Sequence, residues 1–365
     1  MKKLLLILLA VLCLTGCGEI TKDTAIKKLD KKINSKSYTL DGTMEIISNE
    51  ETFNYSLNVY SYDKKYYKVA LINQMNNHEQ VILKNDDGVY VVTPALNKSF
   101  KFQSEWPNNS SQAYILESIL KDIKSDKDSK FEKTENEYTL KSEVNYPNNS
   151  DLLYQVVVFD DDMNIKEIKV YDTNNIAKII VTINNINYKA KLEKNDFLLD
   201  DLIKKDSHSN NICESKNEEN YCDNNKSEEK NEQVPQEGSN DETEQKTNNI
   251  IENIIYPLYI PNNTYLSDSE KIDLDNGNRV ILTFSGEKEF VLVEETSKAS
   301  SEFEIIPIYG DPQVMSTSVA ALGANSIYFT IDNIDYYLAS NEMSSEEMLT
   351  VAASLGNSVL TMESK

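Results

Sequence analysis

The chain is poor in the residue types that most often carry catalysis and metal binding. It has 365 residues, yet it contains only two histidines, four cysteines and one tryptophan. It lacks the G-x-S-x-G, H-E-x-x-H, Walker and dinucleotide-glycine motifs. A histidine-based triad would need His78, which we interpret as a solvated loop residue, because His208 lies in a long polar segment. The sequence therefore predicts neither an enzyme nor a cofactor.

Positive charge is also scarce. The sequence has 37 lysine and arginine residues against 60 aspartate and glutamate residues, which gives a formal net charge of −23. A surface of this sign repels phosphate backbones and anionic headgroups. The composition therefore argues against nucleic acid as a partner and favours a soluble, acidic surface.

The amino terminus carries an apolar run, Leu4 to Leu14, after a short basic region. The run is too short to span a bilayer, which needs about 20 residues in a helix, and is typical of a cleaved export signal. The stretch Leu14-Thr15-Gly16-Cys17 resembles a bacterial lipobox. That resemblance implies a signal peptide over residues 1–16 and a lipid-modified Cys17 that anchors the protein to the extracytoplasmic face of the cell membrane. An ordinary secretory peptide is the alternative.

Two cysteines remain once Cys13 leaves with the signal and Cys17 carries lipid. Cys213 and Cys222 lie nine positions apart in a polar segment. Disulfides persist outside the cytoplasm, so this pair is a candidate disulfide, and the sequence leaves open whether it forms. Zinc is excluded because no C-x-x-C pair is present.

The first half of the mature chain shows helical spacing only twice. Thr21 to Ile33 and Gln112 to Ile123 each carry one apolar stripe, and the Asn-Asn-Ser-Ser run before the second offers N-cap side chains. Strand patterns fill the rest, with an Asp87-Gly88 hairpin turn. The predicted strands are Ser37–Ile47, Phe53–Tyr60, Lys65–Ile72, Glu79–Lys84, Val89–Thr93, Lys98–Phe102, Glu137–Val144, Leu152–Phe159, Ile165–Tyr171, Ile176–Ile183 and Ile186–Leu192.

An acidic run, Asp160 to Asn164, separates two of these strands. Its D-x-D-x-N spacing suggests a calcium loop, but Ile165 and Tyr171 stand where an EF-hand needs glycine and glutamate. The run is therefore predicted to be a hairpin turn.

The order and spacing of several residues in this half resemble those of the sporulation and germination lipoproteins of the LolA-like superfamily. They are Thr93-Pro94, Asn97, Phe100, Phe102, Trp106-Pro107, Asn109, Ser110, Gln112 and the run Asn195–Asp200. The resemblance implies an α+β fold over residues 17–203, in which helices lid a half-open antiparallel β-barrel. In relatives its cavity takes acyl chains or apolar peptide segments. By resemblance the ligand-binding residues would be Trp106, Phe100, Phe102, Tyr114 and Ile115, with plain core packing as the alternative.

Residues 204–249 are polar and acidic, with low hydrophobicity that cannot offset the entropy of ordering. They are predicted to form a disordered acidic linker.

A second, smaller α+β domain is predicted over residues 250–365. Ser344 and Glu347 form a capping-box pattern that starts a last helix, which is predicted to end at Gly356. The region around Tyr337–Leu355 resembles the small domain DUF4367. The predicted strands are Lys271–Leu274, Arg279–Phe284, Phe290–Glu294, Phe303–Ile308, Ser326–Ile331 and Ile334–Ala339.

The sequence thus predicts a non-catalytic lipoprotein in envelope, sporulation or germination processes, binding an apolar ligand (an acyl chain or lipoprotein segment) or a protein partner. The two-domain arrangement also resembles RseB-like stress sensors, so a regulator of a membrane protein or cell-wall hydrolase is an alternative. An enzyme acting on wall polymers is a third.

Overall fold

The computed structural model describes residues 20–48, 51–134, 137–204, 250–275, 277–297 and 303–362. Cys17, Cys213, Cys222 and nearly all of the predicted linker lie outside the described residues. The signal peptide, the lipid anchor, the disulfide and the linker therefore stay predictions.

Most of the described chain forms β-strands. Those of the first half are β1 (Ser37–Ser48), β2 (Glu51–Tyr62), β3 (Tyr66–Asn73), β4 (Glu79–Asn85), β5 (Gly88–Thr93), β6 (Lys98–Phe102), β7 (Lys130–Lys133), β8 (Tyr138–Glu143), β9 (Leu152–Phe159), β10 (Ile165–Asp172) and β11 (Ala177–Asn187). Those of the second half are β12 (Thr264–Leu274), β13 (Gly277–Gly286), β14 (Phe290–Thr296), β15 (Glu304–Ile308), β16 (Gly310–Val314), β17 (Val319–Gly323), β18 (Ser326–Ile331) and β19 (Ile334–Ala339).

The strands form two sheets. The first sheet has twelve strands in the order β15-β6-β5-β4-β3-β2-β1-β11-β10-β9-β8-β7, and the second has seven in the order β12-β13-β14-β19-β18-β17-β16. Every pair is antiparallel except β15 with β6, which is parallel. Edge strands β15 and β7 do not pair with each other, so within the described residues the first sheet is not closed into a barrel. The predicted mostly antiparallel α+β architecture is confirmed.

Four α-helices and two short 3-10 helices, Pro94–Leu96 and Lys194–Phe197, accompany the sheets in the described part of the chain. The four α-helices are named in chain order. They are α1 (Lys22–Ile33), α2 (Leu116–Ser125), α3 (Leu199–Lys204) and α4 (Ser345–Met362). The side chain of Thr21 accepts a hydrogen bond from the Thr24 amide and caps α1, whose Ala25, Leu29 and Ile33 are buried. The predicted first helix is therefore confirmed.

The predicted start of α2 is wrong. The helix begins at Leu116 rather than Gln112, and its N-cap is Ile115, which has no side-chain cap. The asparagine expected near the cap is engaged elsewhere, because Asn109 donates to Asp311 at 2.7 Å. The Gln112 amide instead donates to the Ser118 hydroxyl at 2.8 Å, which holds residues 112–115 as a separate turn.

The inner face of the first sheet forms the main hydrophobic core. Alternating residues of its strands pack against α1 and α2, and Val319 and Ala321 of the second sheet join the same cluster. The outer face of β3 to β5 is covered as well, because Phe197 is buried there against Tyr66 with ring centroids 5.9 Å apart. These strands therefore bury both faces, which explains their near-continuous apolar sequence.

The two sheets meet at a joint that includes buried polar contacts. Gln80 accepts from the Val319 amide at 2.6 Å and donates to the Val319 carbonyl at 3.3 Å. The Lys98 ammonium lies 2.6 Å from the Asp335 carboxylate, with side chains 9% and 13% exposed. The Tyr55 hydroxyl donates to the Ser316 carbonyl at 2.8 Å. In each pair, a buried polar group of the first sheet has its partner in the second half of the chain. The pairs therefore fix the orientation of the second sheet relative to the first.

Other boundaries differ from the expectation. The hairpin turn between β4 and β5 is Asp86-Asp87 and Gly88 begins β5, since Asn85 pairs with Gly88. The two strands expected over 176–192 are one strand, β11. Helix α4 begins directly after Ser344, which forms a capping box with Glu347 as expected, but it continues past Gly356 to Met362. Strands β7, β16 and β17 were not predicted.

The Asp160–Asn164 run is a hairpin turn, as expected. The Asn164 amide donates to the Asp160 carboxylate at 2.8 Å, and Lys32 donates to the Asn164 side chain at 2.6 Å. No group of three or more metal-ligating side chains that could hold an ion was found among the described residues.

A strap over residues 250–260 leads into the second sheet and is tied down by two buried polar side chains. Asn278 accepts from the Ile251 amide at 2.8 Å, and the Glu294 carboxylate accepts from the Ile255 amide at 3.2 Å. Both side chains belong to residues that are 0% exposed. Burial raises the pKa of Glu294 to about 7.

Replacing Gln80 with alanine should lower the free energy of unfolding by about 2 kcal/mol, because the buried Val319 amide and carbonyl lose their partners. Urea unfolding followed by circular dichroism measures this. Gln103→Ala is the matched control, since Gln103 is exposed, and it should change stability by less than about 0.5 kcal/mol. Equal effects of the two substitutions would contradict the assigned role of Gln80.

The buried Glu294 should make stability depend on pH. Between pH 4.5 and about 7 the unfolded chain has released this proton while the folded chain retains it. The free energy of unfolding should therefore fall by about 3 kcal/mol as pH rises across this interval. Glu294→Gln keeps an acceptor for Ile255 and should remove this slope in urea titrations, whereas the exposed Glu289→Gln should preserve it. An unchanged slope in Glu294→Gln would refute the assignment.

Candidate functional site

A cavity of about 440 Å³ lies between the two sheets. Its lining comes from β1 and β11 of the first sheet, the turn before α2, the 146–152 segment, β16 with the turn that follows it, and α4. The cavity therefore exists only where both halves of the chain meet.

Apolar side chains form about half of the cavity wall. The inner face of β1 presents alternating side chains to it, and α4 presents residues one turn apart. The apolar lining residues are Met44, Ile46, Ile47, Ala113, Tyr114, Leu152, Ile179, Val314, Met315, Leu349 and Ala353. Such walls favour the transfer of an apolar group out of water.

Polar groups line the rest of the cavity. The charged ones are Asp151, Asp172, Lys178 and Glu346. Lys178 lies 3.7 Å from Asp172. The Ile176 amide donates to Asp172 at 2.9 Å and holds the pKa of that carboxyl below its usual range. Glu346 accepts from the Ser150 hydroxyl at 3.1 Å.

The turn before α2 supplies one end of the cavity. The Tyr114 hydroxyl donates to the Gln112 side chain at 2.6 Å, and both residues line the cavity. Burial raises the pKa of Tyr114 and of the neighbouring Tyr146, so both phenols stay protonated. The Ser111 amide donates a hydrogen bond to the Asn145 carbonyl at 2.7 Å, and this bond fixes the backbone just before Gln112.

A buried acid lies on α2, outside the cavity lining. Burial raises the pKa of Asp122 to about 6, and Gln155 donates to its carboxylate at 3.4 Å. The Gln155 side chain also donates to Ser142 at 3.2 Å. Asp122 is therefore part of the packing of α2 onto β8 and β9.

Of the five residues given ligand-binding roles by resemblance, Tyr114 lines the cavity. Phe100, Phe102, Trp106 and Ile115 are between 0% and 5% exposed and belong to the main core. Phe100 contacts Tyr328 of the second sheet, with centroids 4.7 Å apart. The structure therefore places one predicted residue in the cavity and four in packing positions, and their roles in binding stay predictions.

Sequence reasoning missed most of the lining. The period-two pattern of β1 marks Met44 and Ile46 as inward-facing, but it cannot show that their side chains border a gap. Val314 and Met315 were missed because Gly310-Asp311-Pro312 has the composition of a loop, although it forms β16. Leu349 lies in the predicted last helix, and nothing in the sequence of that helix shows that Leu349 borders a cavity.

His78 is not the solvated residue that the sequence suggested. It is partly buried, burial lowers its pKa, and its Nε2 has no hydrogen-bond partner among the described residues. It is absent from the cavity lining, which contains no histidine or cysteine among the described residues. Within the same residues, no helix is both long and apolar enough to span a membrane.

No family model matches the chain. The solved structures that match this chain include three with TM-scores between 0.28 and 0.31. The MucA/MucB complex of Pseudomonas aeruginosa has a TM-score of 0.30 at 10% identity, over 91% of this chain and 97% of that one. The LolA superfamily protein NE2245 of Nitrosomonas europaea has a TM-score of 0.31 at 10% identity, over 50% of this chain and 99% of that one.

The third is the CwlD amidase in complex with the GerS lipoprotein from Clostridioides difficile, with a TM-score of 0.28 at 18% identity, over 49% of this chain and 100% of that one. One of these three structures carries the LolA superfamily name. At these TM-scores no conclusion about function rests on them.

The sequence comparison is much stronger. The sporulation protein YdcC of Bacillus subtilis (strain 168) is 32% identical over 350 residues, which cover 95% of this chain and 94% of that protein. The match covers nearly the whole chain and therefore includes strands of both sheets. The chain belongs to the family of the sporulation protein YdcC.

Proposed function

We propose that this protein is a non-catalytic, lipid-anchored extracytoplasmic protein that holds an apolar ligand between its two sheets during sporulation. The observation that carries the proposal is the cavity of about 440 Å³, which has apolar walls and polar groups beside them. Its volume lies in the range of about 300–1,000 Å³ typical of small-ligand sites.

The process and the location are supported by different observations. Membership of the family of a sporulation protein supports a role in sporulation. The apolar amino terminus and the Leu14-Thr15-Gly16-Cys17 motif support export and lipid attachment at Cys17. We further propose that residues 17–203 form a half-open LolA-like barrel, residues 204–249 a linker, and residues 250–365 a DUF4367-like domain.

A sensor that regulates a membrane protein or a cell-wall hydrolase is the second candidate. One observation favours it: the cavity walls come from both sheets, so a ligand would contact both halves of the protein. The buried groups at the joint, such as Gln80 and Lys98, give the docked arrangement a defined geometry. A ligand that binds one arrangement better than another would shift the population between them.

Filling the cavity should abolish ligand binding. Ala353 lines the cavity from α4, so Ala353→Trp should occupy its space. We expect the affinity for an uncharged apolar probe such as N-phenyl-1-naphthylamine or dodecanol to fall at least about tenfold, because the buried apolar contact area is lost. Probe fluorescence and native mass spectrometry of the delipidated protein measure this.

The matched control is Ala95→Trp, because Ala95 is exposed and lies in the turn between β5 and β6. It should bind the probes as the unmodified protein does. Binding that persists in Ala353→Trp, in protein shown by circular dichroism to be folded, would place the ligand elsewhere. Failure of every probe to bind the unmodified protein would refute an apolar ligand at this cavity.

Replacing Cys17 with alanine should release the protein from the membrane, because a lipid-modified cysteine would be the membrane attachment. Cell fractionation and metabolic labelling with an alkyne fatty acid measure this. Cys13→Ala is the matched control, since Cys13 lies within the predicted signal, and it should leave labelling unchanged. Labelling that survives in Cys17→Ala would overturn the lipobox assignment.

A further inference from the structure

The carboxylates in the cavity lining outnumber the cations. Asp151, Asp172 and Glu346 line it together with Lys178. Lys178 lies beside Asp172, which leaves Asp151 and Glu346 with no ion-pair partner among the described residues. Asp151 is exposed and Glu346 is partly buried, and both line a cavity whose wall is about half apolar.

A third carboxylate without an ion-pair partner among the described residues lies next to the same cavity. Glu51 is directly opposite Ser48 in the β1–β2 ladder, and residues opposite each other in a ladder project from the same face of a sheet. Ser48 lines the cavity. The Glu51 Oε2 atom is buried and has no hydrogen-bond donor among the described residues. A buried carboxylate oxygen without a donor is costly, and a donor on a bound ligand would remove that cost.

The remaining polar lining consists largely of amide side chains. They are Gln112, Asn148, Asn149, Asn174 and Gln313. An amide side chain offers both a donor and an acceptor, which matches the alternating groups of a peptide backbone. An acyl chain has no groups of this kind to pair with them.

We propose that the cavity binds a peptide segment in which apolar side chains flank a lysine or arginine. The inference rests on the proposed function and narrows its ligand class. The apolar side chains occupy the walls formed by Met44, Ile46 and Leu349, while Asp151 and Glu346 pair with the cation. Carboxylates beside the apolar walls disfavour an anionic head, such as that of a fatty acid or a phospholipid.

Three matched peptides test the charge preference. Each is acetylated and amidated and carries two leucines on either side of one central residue, which is lysine, glutamine or glutamate. We expect the lysine peptide to bind about tenfold more tightly than the glutamate peptide, with glutamine between them, since partly exposed ion pairs contribute modestly. Isothermal titration calorimetry of the delipidated full chain measures this, and added salt should narrow the difference.

Substitutions test whether the preference for the lysine peptide arises from Asp151 and Glu346. The double variant Asp151→Asn with Glu346→Gln should bring the lysine and glutamate peptides to within about twofold of each other, because neither substituted residue is charged. The exposed Glu289→Gln is the control and should leave the ratio unchanged. Ala353→Trp should abolish binding of all three peptides. A ratio that the double variant does not change would overturn the proposal.

Lipid probes separate this inference from the proposed function. Dodecylamine and dodecanoate carry the same chain with opposite charge. If dodecylamine or dodecanoate binds while no peptide does, the ligand is not a peptide, but the proposal that the cavity holds an apolar ligand is still supported. If the glutamate peptide binds as tightly as the lysine peptide, the charge assignment is wrong. If no peptide and no dodecyl probe binds, the proposed function fails as well.

Discussion

The structure depends on the need to cover one apolar face of a twelve-stranded sheet. Helices α1 and α2 cover part of this face, and they are too short to cover all of it. The second sheet supplies further cover through Val319 and Ala321, which are 3% and 2% exposed. Where the turn before α2, strand β16 and helix α4 meet over this face, their surfaces leave the cavity. The candidate site is therefore the space left between three segments that pack on the same face of the first sheet.

The joint between the sheets combines apolar and polar contacts. Removing one member of a buried pair such as Lys98 and Asp335 leaves the other charge uncompensated, so the pair specifies one docked geometry. The Thr330 hydroxyl donates a hydrogen bond to Asp335 at 2.6 Å and so helps to hold the Asp335 carboxylate in position. The cavity inherits its shape from these contacts, because its two sides are held by different sheets. A ligand-binding surface built in this way is sensitive to events in either half of the protein.

Much of the fold could be predicted from the sequence, and the reasons are local. Helix α1 was predicted from its apolar stripe, and most strands were predicted from strand patterns that include period-two alternation. The start of α2 was missed because the side chain of Asn109 is engaged by Asp311, about two hundred residues away. The cavity was missed because alternation identifies an inward side chain without showing what faces it. Tyr114 was found through a family resemblance, whereas Met315 and Ala353 depend on packing between distant segments.

Strand β15 has a consequence for the order of folding. It belongs to the second half of the chain, yet it pairs in parallel with β6 and forms an edge of the first sheet. As the chain is made from its amino terminus, β6 is synthesised long before this neighbour exists. The backbone groups on its outer side must meanwhile remain hydrated or be shielded by another strand. Completion of the first sheet is thus a late, long-range event, which ties assembly of the amino-terminal half to synthesis of the carboxyl-terminal half.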